Sequence, residues 1–329
     1  MKVLAGDIGG TKTSLAVFET SDRQLELLTM EKYPSQQYAS LDEIVRRFVD
    51  LHNPVCDYAS FGIAGPVREG KSETTNLPWR VDADRMADKL GFRHVWLMND
   101  LEANAWGINA LQQEDFHVLQ QGSPTASGNA SIISAGTGLG QAGMYWDGKR
   151  HRPFGSEGGH SDFAPNSDLE IELLRHLRQR YEHVSWERVV SGMGLVNIHA
   201  FLREFRKSAA PQWLVEEMQD GDAAATISRA ARQERCPVCS EALELFVHLY
   251  GVEAGNHALK IMASGGVYIG GGIAPKILDS LEEPTFLRGF RSKGRMEPLM
   301  RDMPVRVILN DRTALYGPAL FASVEITDL

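Results

Sequence analysis

The chain has 329 residues, and its 34 basic against 43 acidic side chains leave a formal net charge of −9. That length exceeds what one hydrophobic core usually serves, so two lobes are expected. The 43% hydrophobic and 23% charged fractions exclude a disordered or fibrous chain, and the acidic balance excludes a dedicated nucleic-acid binder.

No apolar run approaches the roughly 20 residues of a membrane span, so no membrane partner is expected. Asp7 follows Met1 too soon for a secretory signal. The three cysteines, Cys56, Cys236 and Cys239, are too few for a disulfide framework and fit a reducing, cytoplasmic setting.

In chain order, Lys2 to Ala5 and Leu15 to Phe18 read as strands joined by a glycine-rich turn. Ser40-Leu41-Asp42-Glu43 is a capping box, and Ile44, Phe48 and Leu51 continue it as an amphipathic helix. Strands are expected at Tyr58 to Ala64 and His94 to Met98, with a helix from Leu101 to Ile108. After a polar linker, Gln120 to Asn129, the opening pattern recurs. Ser131 to Ala135 and Gln141 to Trp146 flank the turn Gly136-Thr137-Gly138-Leu139-Gly140, which suggests a duplicated unit. A second capping box at Ser167 to Glu170 starts a helix to about Tyr181. Cys239 to Leu259 reads as a long helix with Ala242, Leu245, Phe246, Tyr250 and Ala254 on one apolar face. Gly265 to Gly272 is a strand entering a glycine turn, Pro304 to Leu309 a late strand, and Thr313 to Val324 a terminal helix. Alternating strands and helices make the class α/β.

Three glycine clusters carry the chemistry. In Gly6-Asp7-Ile8-Gly9-Gly10-Thr11-Lys12-Thr13, glycines permit positive φ and close approach of a ligand, and successive N–H groups bind anions. Thr11 and Thr13 add hydroxyl donors. A carboxylate at Asp7 beside a phosphate turn makes sense if a hard cation such as Mg²⁺ lies between them. Gly136, Thr137 and Gly138 repeat the turn without the carboxylate. Gly270-Gly271-Gly272 taken alone reads as a plain strand-to-helix turn, with a nucleoside lying against its backbone as the alternative. Neither a Walker A loop nor a Rossmann fingerprint is present.

These segments resemble the actin-like ATPase fold of the sugar kinases, and more narrowly the bacterial glucokinases. The matching runs also include Asn99-Asp100, Gly155 to Pro165 with Glu157 and His160, and Glu187 to Gly192. They keep family order over most of the chain. The resemblance implies a two-lobed fold with ATP and sugar in the interlobe cleft, residues 1–107 plus 302–329 forming the small lobe and 108–301 the large one. It implies phosphorylation of glucose by ATP with Mg²⁺, in a cytoplasmic homodimer. Asp100 would be the general base; Asn99, Asp100, Glu157, His160 and Glu187 would bind sugar. Gly6, Asp7, Ile8, Gly9, Gly10, Thr11, Gly136, Thr137, Gly138, Gly270, Gly271 and Gly272 would bind ATP, and Asp7 the metal. Asp100 also reads as an N-cap of the helix that begins beside it. A kinase for another hexose or an N-acetylhexosamine, and a sugar sensor without turnover, are the competing readings.

Two features depart from related families. The broader repressor and sugar-kinase family carries a cysteine-rich zinc motif after the sugar-site histidine; Ser161 to Arg180 holds no cysteine, so no structural zinc is expected. Lys12 reads as a phosphate contact or a solvated cation. Cys236-Pro237-Val238-Cys239 is a lone CxxC without further ligands in view, and reads as a helix start. Trp79 reads as core or as a stiffener of a loop near the sugar.

Overall fold

The computed structural model describes residues 1–21, 24–74 and 77–328. The chain divides into two compact units: Met1–Asp115 with His151–Gly155 and Asn310–Leu329, and Phe116–Arg150 with Ser156–Leu309. The late strand therefore belongs to the second unit and not to the returning segment: Val305–Ile308 pairs in parallel with Gly266–Gly270. The chain rejoins the first unit only from Asn310 onward.

In the first unit, β1 (Lys2–Ile8) and β2 (Lys12–Ser21) form the expected hairpin. β3 (Gln24–Pro34) extends it, and the chain continues through α1 (Leu41–His52), β4 (Tyr58–Ile63), β5 (Val67–Arg68), β6 (Lys71–Glu73), β7 (Arg80–Asp82), α2 (Ala83–Leu90), β8 (His94–Asn99) and α3 (Asp100–Ile108). The main sheet runs β3-β2-β1-β4-β8, with β1, β4 and β8 mutually parallel. Ser40 caps α1 through the Glu43 N–H at 3.3 Å, while the Glu43 carboxylate accepts from the Ala39 N–H at 2.9 Å. Leu41, Ile44, Val45 and Phe48 are buried beneath α1. Leu51 is instead 62% exposed; at 100° per residue it lies roughly 70° round from that stripe. Trp79 is core, 2% exposed, and its indole donates to the Tyr38 carbonyl at 3.2 Å. The terminal helix Thr313–Asp328 packs on α3, β1 and β4. Glycine permits the closest approach: a Cβ on Gly107 would strike the Thr313 carbonyl, and one on Gly317 the Ala103 carbonyl.

The second unit repeats the plan. β9 (Phe116–Gln120), β10 (Ala130–Ala135) and β11 (Leu139–Trp146) come first, and β12 (His151–Ser156) is next in the chain. Four helices then come in order: α4 (Asp168–Leu177), α5 (Gly192–Phe205), α6 (Gln212–Asp220) and α7 (Ala223–Arg232). α8 (Pro237–Ile261), β13 (Gly266–Gly270) and β14 (Val305–Ile308) complete the core. β11, β10, β13, β14 and β9 lie side by side in that order. As β1 pairs antiparallel with β2 and parallel with β4, so β10 pairs antiparallel with β11 and parallel with β13. The same strand–turn–strand unit heads both sheets.

α8 is not one-faced. Val247, Leu249, Glu253, His257 and Ala258 are buried as well as the predicted apolar positions, so it runs through the centre of its unit. Cys236 caps it, its Sγ accepting from the Cys239 N–H at 3.4 Å, with Pro237 in the first turn. Among the described residues, no helix is long and apolar enough to cross a membrane.

Candidate functional site

In the first unit the site residues stand at the C-terminal ends of parallel strands, where an open α/β sheet presents ligand groups. Asp7 is in register with Gly62 of β4, and Gly62 with Met98 of β8. Asn99 and Asp100 come directly after. Asn99, not Asp100, is the N-cap of α3: its side-chain oxygen accepts from the Leu101 N–H at 2.9 Å and its amide donates to the Gly65 carbonyl at 3.2 Å. It wins the cap because its backbone is extended, whereas Asp100 already begins the helix. Burial pushes the Asp7 carboxyl up to about 6, the Asp100 charge adds to the rise, and Lys12 opposes it.

The first glycine turn is braced from below. Gly9 donates to the Lys12 carbonyl at 3.0 Å, and the Ser35 hydroxyl donates to the Gly9 carbonyl at 2.8 Å. Thr13 is fully buried with its hydroxyl on Ser35 at 3.0 Å, so it faces the core and not a ligand. Gly6 and Ile8 lie inside β1. A Cβ on Gly6 would meet the Phe61 ring at 2.6 Å, and Ile8 is 1% exposed, so both support the turn from within. Gly9, Gly10 and Thr11 form its accessible part, and Lys12 is exposed. Neither Gly9 nor Gly10 adopts positive φ, and nor do Gly136 and Gly138. Backbone handedness therefore does not explain the glycines here.

In the second unit, Leu139 is the point of convergence. Its N–H donates to Glu187 Oε2 at 3.0 Å, and a Cβ on Gly138 would strike that oxygen. Its carbonyl lies directly under Gly159, and the Gln141 side chain under Gly158, so only glycines let the Glu157–His160 turn sit on β11. Glu157 and His160 are exposed, with His160 Nε2 at 3.9 Å from Glu157 Oε2. The Trp186 N–H donates to the Ser161 carbonyl at 3.0 Å, which brings Glu187 alongside that turn.

The second and third glycine clusters share one cavity of about 630 Å³, lined by Gly136, Thr137, Gly272, Ile273, Leu195 and Phe246 among others. Gly271 is the glycine here that needs its conformation, with φ +83° and the Ala135 carbonyl where a Cβ would be. Gly270 closes β13, packed against the Ser134 hydroxyl. A residue that the sequence placed only on the apolar face of a helix holds the strand ends together. The buried Tyr250 hydroxyl accepts from the Ala135 N–H at 3.2 Å and reaches the Ile133 and Gly270 carbonyls at 3.3 and 3.2 Å. A larger cavity of about 980 Å³ lies in the first unit around Arg68, Lys71 and Arg85, and contains none of the predicted site residues.

The family model described as Glucokinase matches residues 4–325. The chain belongs to the glucokinase family. A glucokinase of Nostoc punctiforme is 44% identical over 337 aligned residues, covering 98% of each chain. The crystal structure of a glucokinase from an Antarctic psychrotroph superposes with a TM-score of 0.86 at 29% identity, covering 98% of this chain and 99% of that one. A glucokinase of the ROK family from Streptomyces griseus, solved with glucose and AMPPNP, has a TM-score of 0.64 at 22% identity over 97% and 98% of the two chains. The glucokinase neighbours carry the actin-like ATPase fold, and this chain has it too.

Within the glucokinase family frame, the predicted residues fall into two groups. Asp7, Asn99 and Asp100 gather in the first unit with the turn Gly9–Thr11. Glu157, His160 and Glu187 gather in the second around Leu139, beside the turn that enters the 630 Å³ cavity.

Proposed function

We propose that this chain transfers the γ-phosphoryl group of ATP to the 6-hydroxyl of glucose, with Asp100 as general base. The observation that carries the reading is Asp100 heading α3 at the C-terminal end of a parallel strand, in a chain matched over its length by glucokinases. The sugar hydroxyl is a poor nucleophile at neutral pH. The Asp100 carboxylate takes its proton as the O6–P bond forms and the bond to ADP breaks. Asn99 keeps one amide proton and one lone pair beyond its bonds to Gly65 and Leu101, enough for a neighbouring sugar hydroxyl.

Glu157, His160 and Glu187 supply the remaining sugar contacts. Oε2 of Glu187 is committed to Leu139, so Oε1 is the oxygen offered to a hydroxyl. Backbone N–H groups of Gly10 and Thr11, and of Thr137 and Gly138, stabilise charge on the phosphates, those of Gly9 and Gly136 being donated to the Lys12 and Gly138 carbonyls. The base and ribose occupy the cavity beside Gly270, Gly271 and Gly272, whose apolar lining of Leu195, Ile273 and Phe246 suits a flat heterocycle.

A Mg²⁺ ion fits this arrangement. A partly buried carboxylate at Asp7, raised by Asp100, is a group that a cation would relieve. Asp7 would hold the ion together with phosphate oxygens. When bound, the ion supplies charge neutralisation on the transferred phosphoryl group. On the family resemblance, the proposal includes a cytoplasmic homodimer, which sedimentation of the purified chain checks.

The test is an ADP-release assay with ATP and Mg²⁺ against glucose, mannose, fructose, galactose and N-acetylglucosamine. Turnover concentrated on glucose is expected. Turnover centred on another sugar overturns the substrate assignment, and glucose binding without ADP release overturns the kinase assignment in favour of a sensor.

A further inference from the structure

The CxxC pair at the start of α8 meets a third group that is distant in sequence. One donor atom each from His199, Cys236 and Cys239 lies within 4.8 Å of the other two, and all three residues are buried. His199, on α5, is 2% exposed, and its Nε2 has no hydrogen-bond partner. A buried imidazole with an orphaned nitrogen, grouped with two cysteine sulfurs, is an unusual thing to bury, because an unmet polar atom is costly. We propose that His199, Cys236 and Cys239 bind a structural Zn²⁺ ion.

Two thiolates and an imidazole form a donor set that zinc takes readily, with a solvent molecule completing the tetrahedron. Zn–S and Zn–N bonds of about 2.3 and 2.0 Å put the donor atoms about 3.6 Å apart. The donor atoms, within 4.8 Å of one another, would have to draw together by about 1 Å on binding. The backbone is already arranged for it: the Cys239 N–H points at Cys236 Sγ, at 3.4 Å.

The protonation states agree. Burial and the Arg203 charge hold the His199 imidazolium down to about 4, so the ring is neutral and its lone pair free at neutral pH. Burial pushes the Cys239 thiol well up. On binding, each cysteine gives up one proton to solvent as its S–Zn bond forms. Burial of both cysteines makes a reactive redox CxxC a poor alternative, since that chemistry needs an accessible thiol.

The site is separate from the stretch Ser161 to Arg180, whose lack of cysteine excludes zinc only there. Its consequence is mechanical. The ion ties α5 to the first turn of α8, and these helices supply Leu195, Val196, Leu243 and Phe246 to the 630 Å³ cavity.

The test uses the untagged full chain, reduced, stripped with a chelator and titrated with Zn²⁺ against a chromophoric competitor. One Zn²⁺ per chain is expected, with release of protons and a rise in melting temperature. Co²⁺ should give the d–d bands of a tetrahedral thiolate site. Cys239→Ser and His199→Ala should lose both ion and spectrum while keeping wild-type far-UV circular dichroism. Should either variant fold poorly, thiol alkylation of the wild type decides: Zn²⁺ should protect Cys236 and Cys239 and leave Cys56 unaffected. Failure of the reduced wild type to take up Zn²⁺, unchanged binding in folded variants, or equal alkylation with and without zinc overturns the proposal.

Discussion

The Asp100 carboxylate raises that of Asp7. The two come from strand ends separated by β4; burial is the larger cause, and the Asp100 charge adds to it until Asp7 titrates near 6. One sheet edge thus holds two carboxylates with different tasks. Asp7, beside the Gly9–Thr11 turn, is disposed to yield to a cation; Asp100, heading α3, is disposed to accept a proton.

The first prediction concerns pH. Asp7 has a folded-state value near 6 against an ordinary 3.8. A raised carboxyl stabilises the fold fully below the ordinary value and loses that contribution as pH rises through the folded one. The stability of the wild type relative to Asp7→Asn should therefore fall between about pH 4 and pH 7, by at most about 3 kcal/mol. Urea denaturation of both proteins, without Mg²⁺, at several pH values checks this. A flat difference would remove the buried-carboxyl account of Asp7. Mg²⁺ should oppose the loss at the upper end of the range, because it stabilises the ionised form.

Asp100→Asn isolates the base. Asn99 caps α3, and Asp100 Oδ1 also accepts from the Leu101 N–H at 2.9 Å, a bond that an asparagine oxygen can keep, so the substitution leaves the helix start intact. kcat should fall by roughly 10²–10⁴, about 3–5 kcal/mol of transition-state stabilisation. The melting temperature and the affinity for glucose, read by intrinsic fluorescence, should change little. A variant that keeps near-normal kcat would end the general-base assignment. Asn99→Ala should do the reverse for stability, costing about 1 kcal/mol through the lost cap.

How far the sequence revealed this site depends on the range of each interaction. The capping boxes at Ser40 and Ser167 were legible because cap and carboxylate sit three residues apart. The two hairpins were legible because glycine turns interrupt buried apolar runs. β3 and β9 were missed: most of their residues are only partly buried or exposed, and their alternation is weak. Thr13 and Gly6 looked like ligand groups because they flank the turn, yet each faces the core of its own unit. The bond from Leu139 to Glu187, the Tyr250 hydroxyl and the meeting of His199 with Cys236 all join positions 20 or more residues apart. No local pattern encodes such pairs.

Tyr250→Phe should expose the value of one such long-range tie. Its hydroxyl links the ends of β10 and β13, from which the second and third glycine clusters depart. Removing it leaves the Ala135 N–H short of a partner in a fully buried place. That should cost about 1–3 kcal/mol in chemical denaturation. KM for ATP should rise more than KM for glucose, since both strand ends border the cavity assigned to the nucleoside. Equal changes in the two constants would mean that Tyr250 supports the unit as a whole and not that cavity.

Gly138→Ala and Gly136→Ala form a matched pair. A Cβ at Gly136 meets nothing within 4 Å, while one at Gly138 runs into Glu187 Oε2. That oxygen ends a side chain that can swing aside, so the Gly138 change costs little more than the Leu139 hydrogen bond, about 0.5–1.5 kcal/mol. The displaced carboxylate, however, can no longer meet a sugar hydroxyl in the same place. KM for glucose should rise about tenfold or more in Gly138→Ala, equivalent to about 1.4 kcal/mol, and stay near wild type in Gly136→Ala. Steady-state kinetics with glucose varied and ATP saturating reads the difference. If both alanines behave alike, Glu187 braces the glycine turn without touching the sugar, and specificity must rest on Asn99, Glu157 and His160.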